Sequence, residues 1–153
     1  MVSIGRIQVR AYSRSTEVLD RVRIAILNLF PDDVREEIKF TESKAEGHGY
    51  AGMVVLSSSQ EGKDCERSFL GILERLSEED KLTLEATLSQ RLDDQCQLFL
   101  RIDKQASYLS SIQLAQGQDV LRIKVQLKQF PSCNRADAEK FLSEHLHATG
   151  GAD

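Results

Sequence analysis

The sequence predicts a single α+β domain in which an antiparallel-dominated β-sheet carries helices packed on one face. Several segments alternate apolar and polar residues with the period of two that is typical of half-buried strands, and others repeat apolar residues at helical spacing. The chain has 153 residues, of which 41% are hydrophobic and 29% charged, enough to build one core without metals or disulfides. We expect one domain over residues 1–148 and a flexible tail over 149–153.

The first half of the chain predicts a strand, a helix and a pair of strands. Residues 4–12 alternate in the strand period, and the apolar positions from Val18 to Leu29 recur at i, i+3 and i+4, as in a helix that Ser15 caps. Alternation returns at 38–40 and again at 53–56, on either side of a glycine-rich tip. These two segments are therefore expected to form an antiparallel pair.

The second half predicts two helices, two long strands and a final helix. Residues 61–75 have helical spacing, and Ser77 with an acidic first turn begins another helix. Residues 98–103 and 121–128 alternate as strands, and Asn134 caps the last helix. Three short elements are expected between the two strands: a helical turn at 104–109, a strand at 112–114 and a turn at Gly117–Asp119.

Composition also bears on compartment. Cys65, Cys96 and Cys133 lie far apart and form no Cys-x-x-Cys pair, so we expect isolated thiols, with Cys65 and Cys96 as packing residues, in a reducing compartment. No apolar run approaches the ~20 residues that span a bilayer. The sequence therefore predicts a cytoplasmic protein that stays off the membrane.

The charges sort by element, although the net charge is −4. The stretch from Glu61 to Asp94, read as helical, carries ten acidic residues against five basic ones. The outward strand positions are instead mostly basic, with one aromatic ring and Asp103 as the main acid: Arg6, Arg10, Phe99, Arg101, Arg122, Lys124 and Lys128. A sheet face of this kind could track several phosphates, with Phe99 and Tyr12 available for base stacking. The alternative is that these cations only guard the strands against aggregation.

Two segments, Leu98–Leu109 and Asp119–Val125, resemble the signature block of an archaeal family of small RNA-binding proteins described as predicted exosome-associated subunits. The resemblance extends over almost the whole chain in the same order, through Arg6–Ala11, Glu46–Gly49, Leu76–Asp80, and Pro131 with Arg135. One departure follows Gly47-His48, where Gly49-Tyr50-Ala51-Gly52 replaces the Gly-Asn-Pro of the family pattern.

This resemblance implies a fold related to the ribosomal protein that contacts 5S rRNA. It also implies a role in RNA binding or RNA processing without known catalysis, with RNA and exosome or other RNA-processing proteins as partners. No cofactor or metal is expected.

The densest polar cluster follows the strand at 98–103. Lys104 could hold a phosphate there, and Gln105 could contact a base edge or a sugar hydroxyl. The structural alternative is that Asp103 caps the helical turn while Gln105 satisfies buried backbone groups. We count Lys104 and Gln105 among the candidate RNA-binding residues.

Catalytic groupings are weak in this sequence. Gly47-His48-Gly49 could approach an anion, but a lone histidine in a glycine-rich tip is typical of ordinary loops. His145 and His147 lie two apart, which on a helix points them to different faces, so no metal site is expected. The pairs Asp32-Asp33 and Asp93-Asp94 could bind Mg²⁺ in a nuclease, yet such pairs commonly make turns at helix boundaries.

The leading hypothesis is thus a non-catalytic RNA-binding module, accessory to exosome-type RNA processing or to ribosome and RNA maturation. The alternative is an assembly subunit without direct RNA contact. In that case the acidic helices would dock a basic partner, and the sheet face would form a homodimer. An enzyme acting on RNA ends is a weaker third hypothesis.

Overall fold

A five-stranded antiparallel sheet forms the centre of the computed structural model, which describes residues 2–14, 18–44 and 53–150. The strand order is β2-β3-β1-β5-β4, and every neighbouring pair is antiparallel. The strands are β1 (Val2–Ser13), β2 (Lys39–Lys44), β3 (Val54–Glu61), β4 (Gln97–Asp103) and β5 (Val120–Gln129). The predicted α+β class and the antiparallel sheet are confirmed.

Helices cover one face of this sheet. They are α1 (Leu19–Leu27), α2 (Cys65–Arg75), α3 (Glu78–Ala86), α4 (Leu88–Arg91), α5 (Lys104–Tyr108) and α6 (Arg135–Gly150). Three of them, α1, α2 and α6, pack on the central strand β1, where Ile7 and Val9 are buried together with Ile26 and Phe69 from the helices. Because helical and strand periods both direct their apolar residues inward, the opposite face of the sheet keeps the polar residues of the strands.

Three predicted helix caps are present. The Ser77 hydroxyl accepts a hydrogen bond from the backbone N–H of Asp80 at 3.0 Å, and the Asp103 carboxylate accepts one from Ala106 N–H at 2.8 Å. The Asn134 side-chain oxygen likewise accepts a hydrogen bond from the backbone N–H of Asp137 at 3.1 Å. Each cap satisfies a backbone donor that the first helical turn leaves unpaired, so these helix starts agree with the sequence. Ser15 lies outside the described residues.

Some boundaries differ from the prediction. β3 continues to Glu61, and α2 begins only at Cys65, because Gly62 turns the chain with a φ of +99°. α6 ends at Gly150. A 3-10 helix at Asp32–Glu37 was not predicted, and the predicted loop at Glu46–Gly49 lies outside the described residues.

A β-bulge at Gly5 sets the alternation of β1. Ile4 pairs with Leu127, and Arg6 pairs with Gln126, the residue immediately before Leu127. Gly5 is therefore an extra residue in β1 that has no partner position on β5. In a regular strand, residues three apart face opposite sides. The bulge lets Ile4 and Ile7 both enter the core while Arg6 points outward. A Cβ at Gly5 would collide with the side chain of Lys128, which crosses this position.

The cysteine prediction is wrong for two of the three residues. Cys96 and Cys133 form a disulfide with Cα atoms 5.8 Å apart, although 37 positions separate them in the sequence. The antiparallel return of β5 alongside β4 brings them together, and Leu127 N–H donates to the carbonyl of Cys96 at 2.9 Å. Cys65 is a free buried residue, as predicted, and burial raises the pKa of its thiol.

Within residues 2–14, 18–44 and 53–150, no helix combines the length and the apolar composition needed to cross a membrane.

Candidate nucleic-acid interface

Three arginines lie side by side on the outer face, the side of the sheet opposite the helices. Arg10 on β1 pairs with Arg122 on β5, and Arg122 pairs with Arg101 on β4. Neighbouring strands are ~4.8 Å apart, so the three Cα atoms span roughly 10 Å across the sheet. We call this set the arginine row. Its members come from distant parts of the sequence and meet only because the three strands pair in this register.

A second row of side chains runs parallel to the arginine row, two residues along the strands. Gln8, Lys124 and Phe99 face one another in it, at about 7 Å from the arginines. The Phe99 residue is 44% exposed although it lies in the middle of a strand. The row continues to the opposite edge of the sheet, because Gln8 pairs with Ser59 on β3 and Ser59 pairs with Lys39 on β2. The outer face therefore combines closely spaced cations with one accessible aromatic ring.

A shallow depression of about 430 Å³ lies between the two rows. Its polar and aromatic lining comes from β1, β3, β4 and β5: Gln8, Arg10, Ser57, Ser58, Phe99, Arg101, Arg122 and Lys124. A concave site that gathers a few convergent polar groups is the usual form of a ligand-binding surface. On this protein the depression lies on the cationic part of the sheet.

The loop before β5 holds two members of the arginine row in place. Arg101 Nη1 donates to the carbonyl of Gly117 at 3.1 Å, and Arg122 Nη2 donates to Gln118 Oε1 at 2.8 Å. Gly117 has a φ of +97°, a conformation that glycine adopts without strain. The guanidinium carbon of Arg122 also lies 5.9 Å from the centre of the ring of Tyr12, the second residue predicted for base stacking.

The arginine row carries positive charge that nearby acids do not balance. Like charges in directly opposite strand positions destabilise a sheet. In the described strands two carboxylates share the outer face: Glu61 pairs with Arg6 at 2.9 Å, and Asp103 caps α5. Within the part of the chain that the structure describes, Arg10 has no ion-pair partner, and the buried Nε of Arg122 makes no hydrogen bond. An anion bound here would therefore relieve repulsion.

Seven of the nine predicted site residues share the outer face, as their alternation predicted: Arg6, Arg10, Phe99, Arg101, Arg122, Lys124 and Lys128. Lys104 does not join them. Its residue is 3% exposed, and its Nζ donates to the carbonyl of Tyr12 at 2.9 Å and to the carboxylate of Asp119 at 2.6 Å. The structure thus places Lys104 inside the protein and away from the outer face, because α5 begins at this residue and turns its side chain inward.

Gln105 also lies away from the arginine row. It lines a separate cleft of about 190 Å³ between α1 and α5, together with Lys104, Arg21 and Tyr108. The prediction missed other residues at the outer face, among them Gln8 and Ser57, which line the depression. Lys39 could have been found from its place between the apolar Ile38 and Phe40, whereas no sequence signal marks Gln118 as the partner of an arginine.

The acidic pairs form turns and ion pairs, as the structural alternative predicted. The Arg67 guanidinium hydrogen-bonds the carboxylate of Asp33 at 2.9 Å and lowers the pKa of that carboxyl. Asp93 Oδ1 accepts from the N–H groups of Gln95 and Gln97, both at 2.9 Å, which closes a turn before β4. Within the described residues no group of three His, Cys, Asp or Glu side chains is placed to hold a metal ion.

The fold and the outer face together define a class: an α+β protein whose sheet is covered by helices on one side and presents a cationic surface, suited to a polyanion, on the other. The chain belongs to the family described as RNA binding, whose model matches residues 6–127.

Several archaeal proteins are similar over most of their length. An RNA-binding protein of Pyrococcus abyssi is 26% identical, with 82% of each chain covered, and an uncharacterised protein of Methanocaldococcus jannaschii is 29% identical, with 90% of this chain and 93% of that one covered. The crystal structure of an Archaeoglobus fulgidus protein of family DUF54 has a TM-score of 0.79 at 33% identity, covering 94% of this chain and 99% of the other. A DUF54 protein of Methanothermobacter thermautotrophicus, 22% identical with a TM-score of 0.76 over 94% of this chain and 98% of its own, shares the fold.

Proposed function

We propose that this chain is a non-catalytic RNA-binding protein that holds RNA phosphates on the outer face of its sheet. The arginine row is the observation that carries the proposal. Each phosphate that a cation neutralises releases counterions into solution, so closely spaced cations without nearby acids favour a polyanion. Membership of the RNA-binding family supports RNA as that polyanion.

The side chains of the outer face have different parts in this proposal. Arg10, Arg101 and Arg122 supply planar guanidinium groups that can donate two parallel hydrogen bonds to one phosphate. Lys124 supplies a point charge beside them. Arg6 forms an exposed ion pair with Glu61, and such a pair contributes ~0–1 kcal/mol to stability. Arg6 can therefore leave Glu61 and bind a phosphate at little cost in free energy.

The test is a titration of labelled RNA at two salt concentrations, with wild type and the variant Arg122→Glu/Lys124→Glu. We expect wild-type affinity to fall with a log-log slope of about −0.7 per phosphate neutralised on a single strand. The variant replaces two attractive charges by two repulsive ones at the centre of the site. Its affinity should fall by about a hundredfold, with a shallower salt slope.

A matched control has the same change in net charge on the helical side of the protein. Lys63→Glu/Lys140→Glu alters two exposed lysines outside the outer face and should bind RNA within about twofold of wild type, because screening weakens charges more than ~10 Å away. If both double variants lose affinity equally, net charge and not the outer face governs binding. If the outer-face variant binds as wild type does, the proposed site is wrong.

We further propose that the protein acts as an accessory to exosome-type RNA processing or to ribosome and RNA maturation, as the sequence resemblance implies. Affinity purification with and without ribonuclease separates this role from that of an assembly subunit. Processing proteins that are released by RNA digestion support attachment through RNA. Partners that remain after digestion favour direct protein contact, with the acidic helices as the docking surface.

A further inference from the structure

We infer that the RNA bound by the outer face is single-stranded, with one unstacked base lying in the depression against Phe99. This inference rests on the proposed function and adds to it the strandedness of the ligand. It is carried by the exposed ring beside the cations, by the concave shape between the two rows, and by the short span of the arginine row.

The exposure of Phe99 points to an unpaired base. Its strand neighbours Leu98 and Leu100 are buried in the core, and among the described residues Phe99 is the one aromatic side chain that lines the depression. Base-aromatic stacking gives about tenfold or more in affinity per base. Inside a duplex both faces of each base already stack on neighbours, so a paired base cannot use this ring except at a helix end.

The spacing of the cations also fits one nucleotide chain. The arginine row and Lys124 are about 7 Å apart along the strands, a distance that one nucleotide of an extended chain can cover between its phosphates. Double-stranded RNA is instead recognised by shape, from contacts that reach across successive grooves of the helix. The arginine row spans roughly 10 Å, which is too short to contact two successive grooves of a duplex.

The depression has room for a nucleotide and polar groups to hold it. Its volume of about 430 Å³ lies in the range of sites that enclose small organic ligands. The Gln8 amide can both donate and accept hydrogen bonds, and so can the Ser57 hydroxyl. With Phe99 beneath the base, these groups could bond its edge or the sugar hydroxyl. A duplex presents a convex surface and would leave the depression empty.

The first experiment uses Phe99→Trp as a reporter, since the chain contains no tryptophan. The ligands are a single-stranded RNA of roughly 12 nucleotides and the blunt duplex that it forms with its complement, at equal salt. We expect the single strand to quench tryptophan emission through stacking, whereas the duplex should bind at least about tenfold more weakly and quench far less, through its two ends alone.

A second experiment measures the affinity of Phe99→Ala for the same two ligands. The single strand should lose about tenfold in affinity with an unchanged salt slope, while the weak duplex binding stays constant. Phe130→Ala is the matched control, because Phe130 is 91% exposed, follows the end of β5 and does not line the depression. Thermal unfolding of each variant verifies that it is folded.

The outcomes separate this inference from the proposed function. If the duplex binds as tightly as the single strand, or if Phe99→Ala weakens both equally, the inference is overturned, while the arginine row remains the RNA site provided that Arg122→Glu/Lys124→Glu abolishes binding. If neither RNA binds at low salt, the inference and the proposed function both fail.

Discussion

Replacing Cys133 by serine should lower the free energy of unfolding by about 4 kcal/mol, because the disulfide to Cys96 closes a loop between residues 37 positions apart. The bond restricts the unfolded chain more than the folded one, in which β4 and β5 already hold the two cysteines close together. Urea unfolding of wild type and Cys133→Ser under oxidising conditions measures the difference. The midpoint should fall without a loss of native β-sheet signal.

Reduced wild-type protein provides the control for this prediction, because it should unfold at the same urea concentration as Cys133→Ser. The free thiol of Cys65 is buried and should not contribute to the difference. RNA affinity should stay unchanged, since neither Cys96 nor Cys133 lines the depression on the outer face. Equal midpoints for oxidised wild type and Cys133→Ser would show that the disulfide does not stabilise the protein.

Replacing Asp119 by alanine should cost about 2 kcal/mol of stability, less than for a fully buried pair because the Asp119 side chain is 44% exposed. Its carboxylate lies 2.6 Å from the Nζ of Lys104, and the lysine is buried beside β1. Removing the carboxylate takes an ion-pair partner from a lysine that the protein shields from water, and such a loss costs more than the pair itself contributes. Lys104→Met should destabilise less, by about 1 kcal/mol, because the Asp119 carboxylate that it leaves is 44% exposed to water and the main loss is the hydrogen bond to the carbonyl of Tyr12.

Thermal or urea unfolding tests this prediction against Asp20→Ala, which removes an exposed carboxylate paired with Arg23. Such a surface pair contributes about 0–1 kcal/mol, so the control should unfold close to wild type. Comparable losses from Asp20→Ala and Asp119→Ala would contradict the structural role of the pair between Lys104 and Asp119. Lys104→Met should also bind RNA as tightly as wild type. A loss of RNA affinity in this variant would show that Lys104 contributes to RNA binding.

The strand alternation made the outer face predictable. In a half-buried strand the period of two assigns each side chain to a face, and Arg101, Arg122 and Lys124 follow from that rule alone. The caps at Ser77 and Asn134 were equally accessible, because a helix start needs a side-chain acceptor at a fixed distance along the chain. Local rules of this kind need no knowledge of the tertiary fold.

Features that depend on which strands pair could not be read from the sequence. The meeting of Arg10 with Arg122 depends on the register between β1 and β5, and the disulfide depends on the return of β5 beside β4. Lys104 follows Asp103 directly, but the change from strand to helix turns its side chain into the protein. Its position directly after an outward-facing strand residue predicted an exposed lysine, whereas the structure buries Lys104.

The arginine row has a thermodynamic consequence for the RNA-free protein. Three guanidinium groups in adjacent strand positions repel one another, and this repulsion opposes folding whenever the outer face is empty. Any small anion that binds only the folded chain shifts the folding equilibrium by mass action. The same ions weaken the complex, because they compete with RNA phosphates for the row. Added salt therefore acts in opposite directions on the fold and on the assembly that the fold makes with RNA.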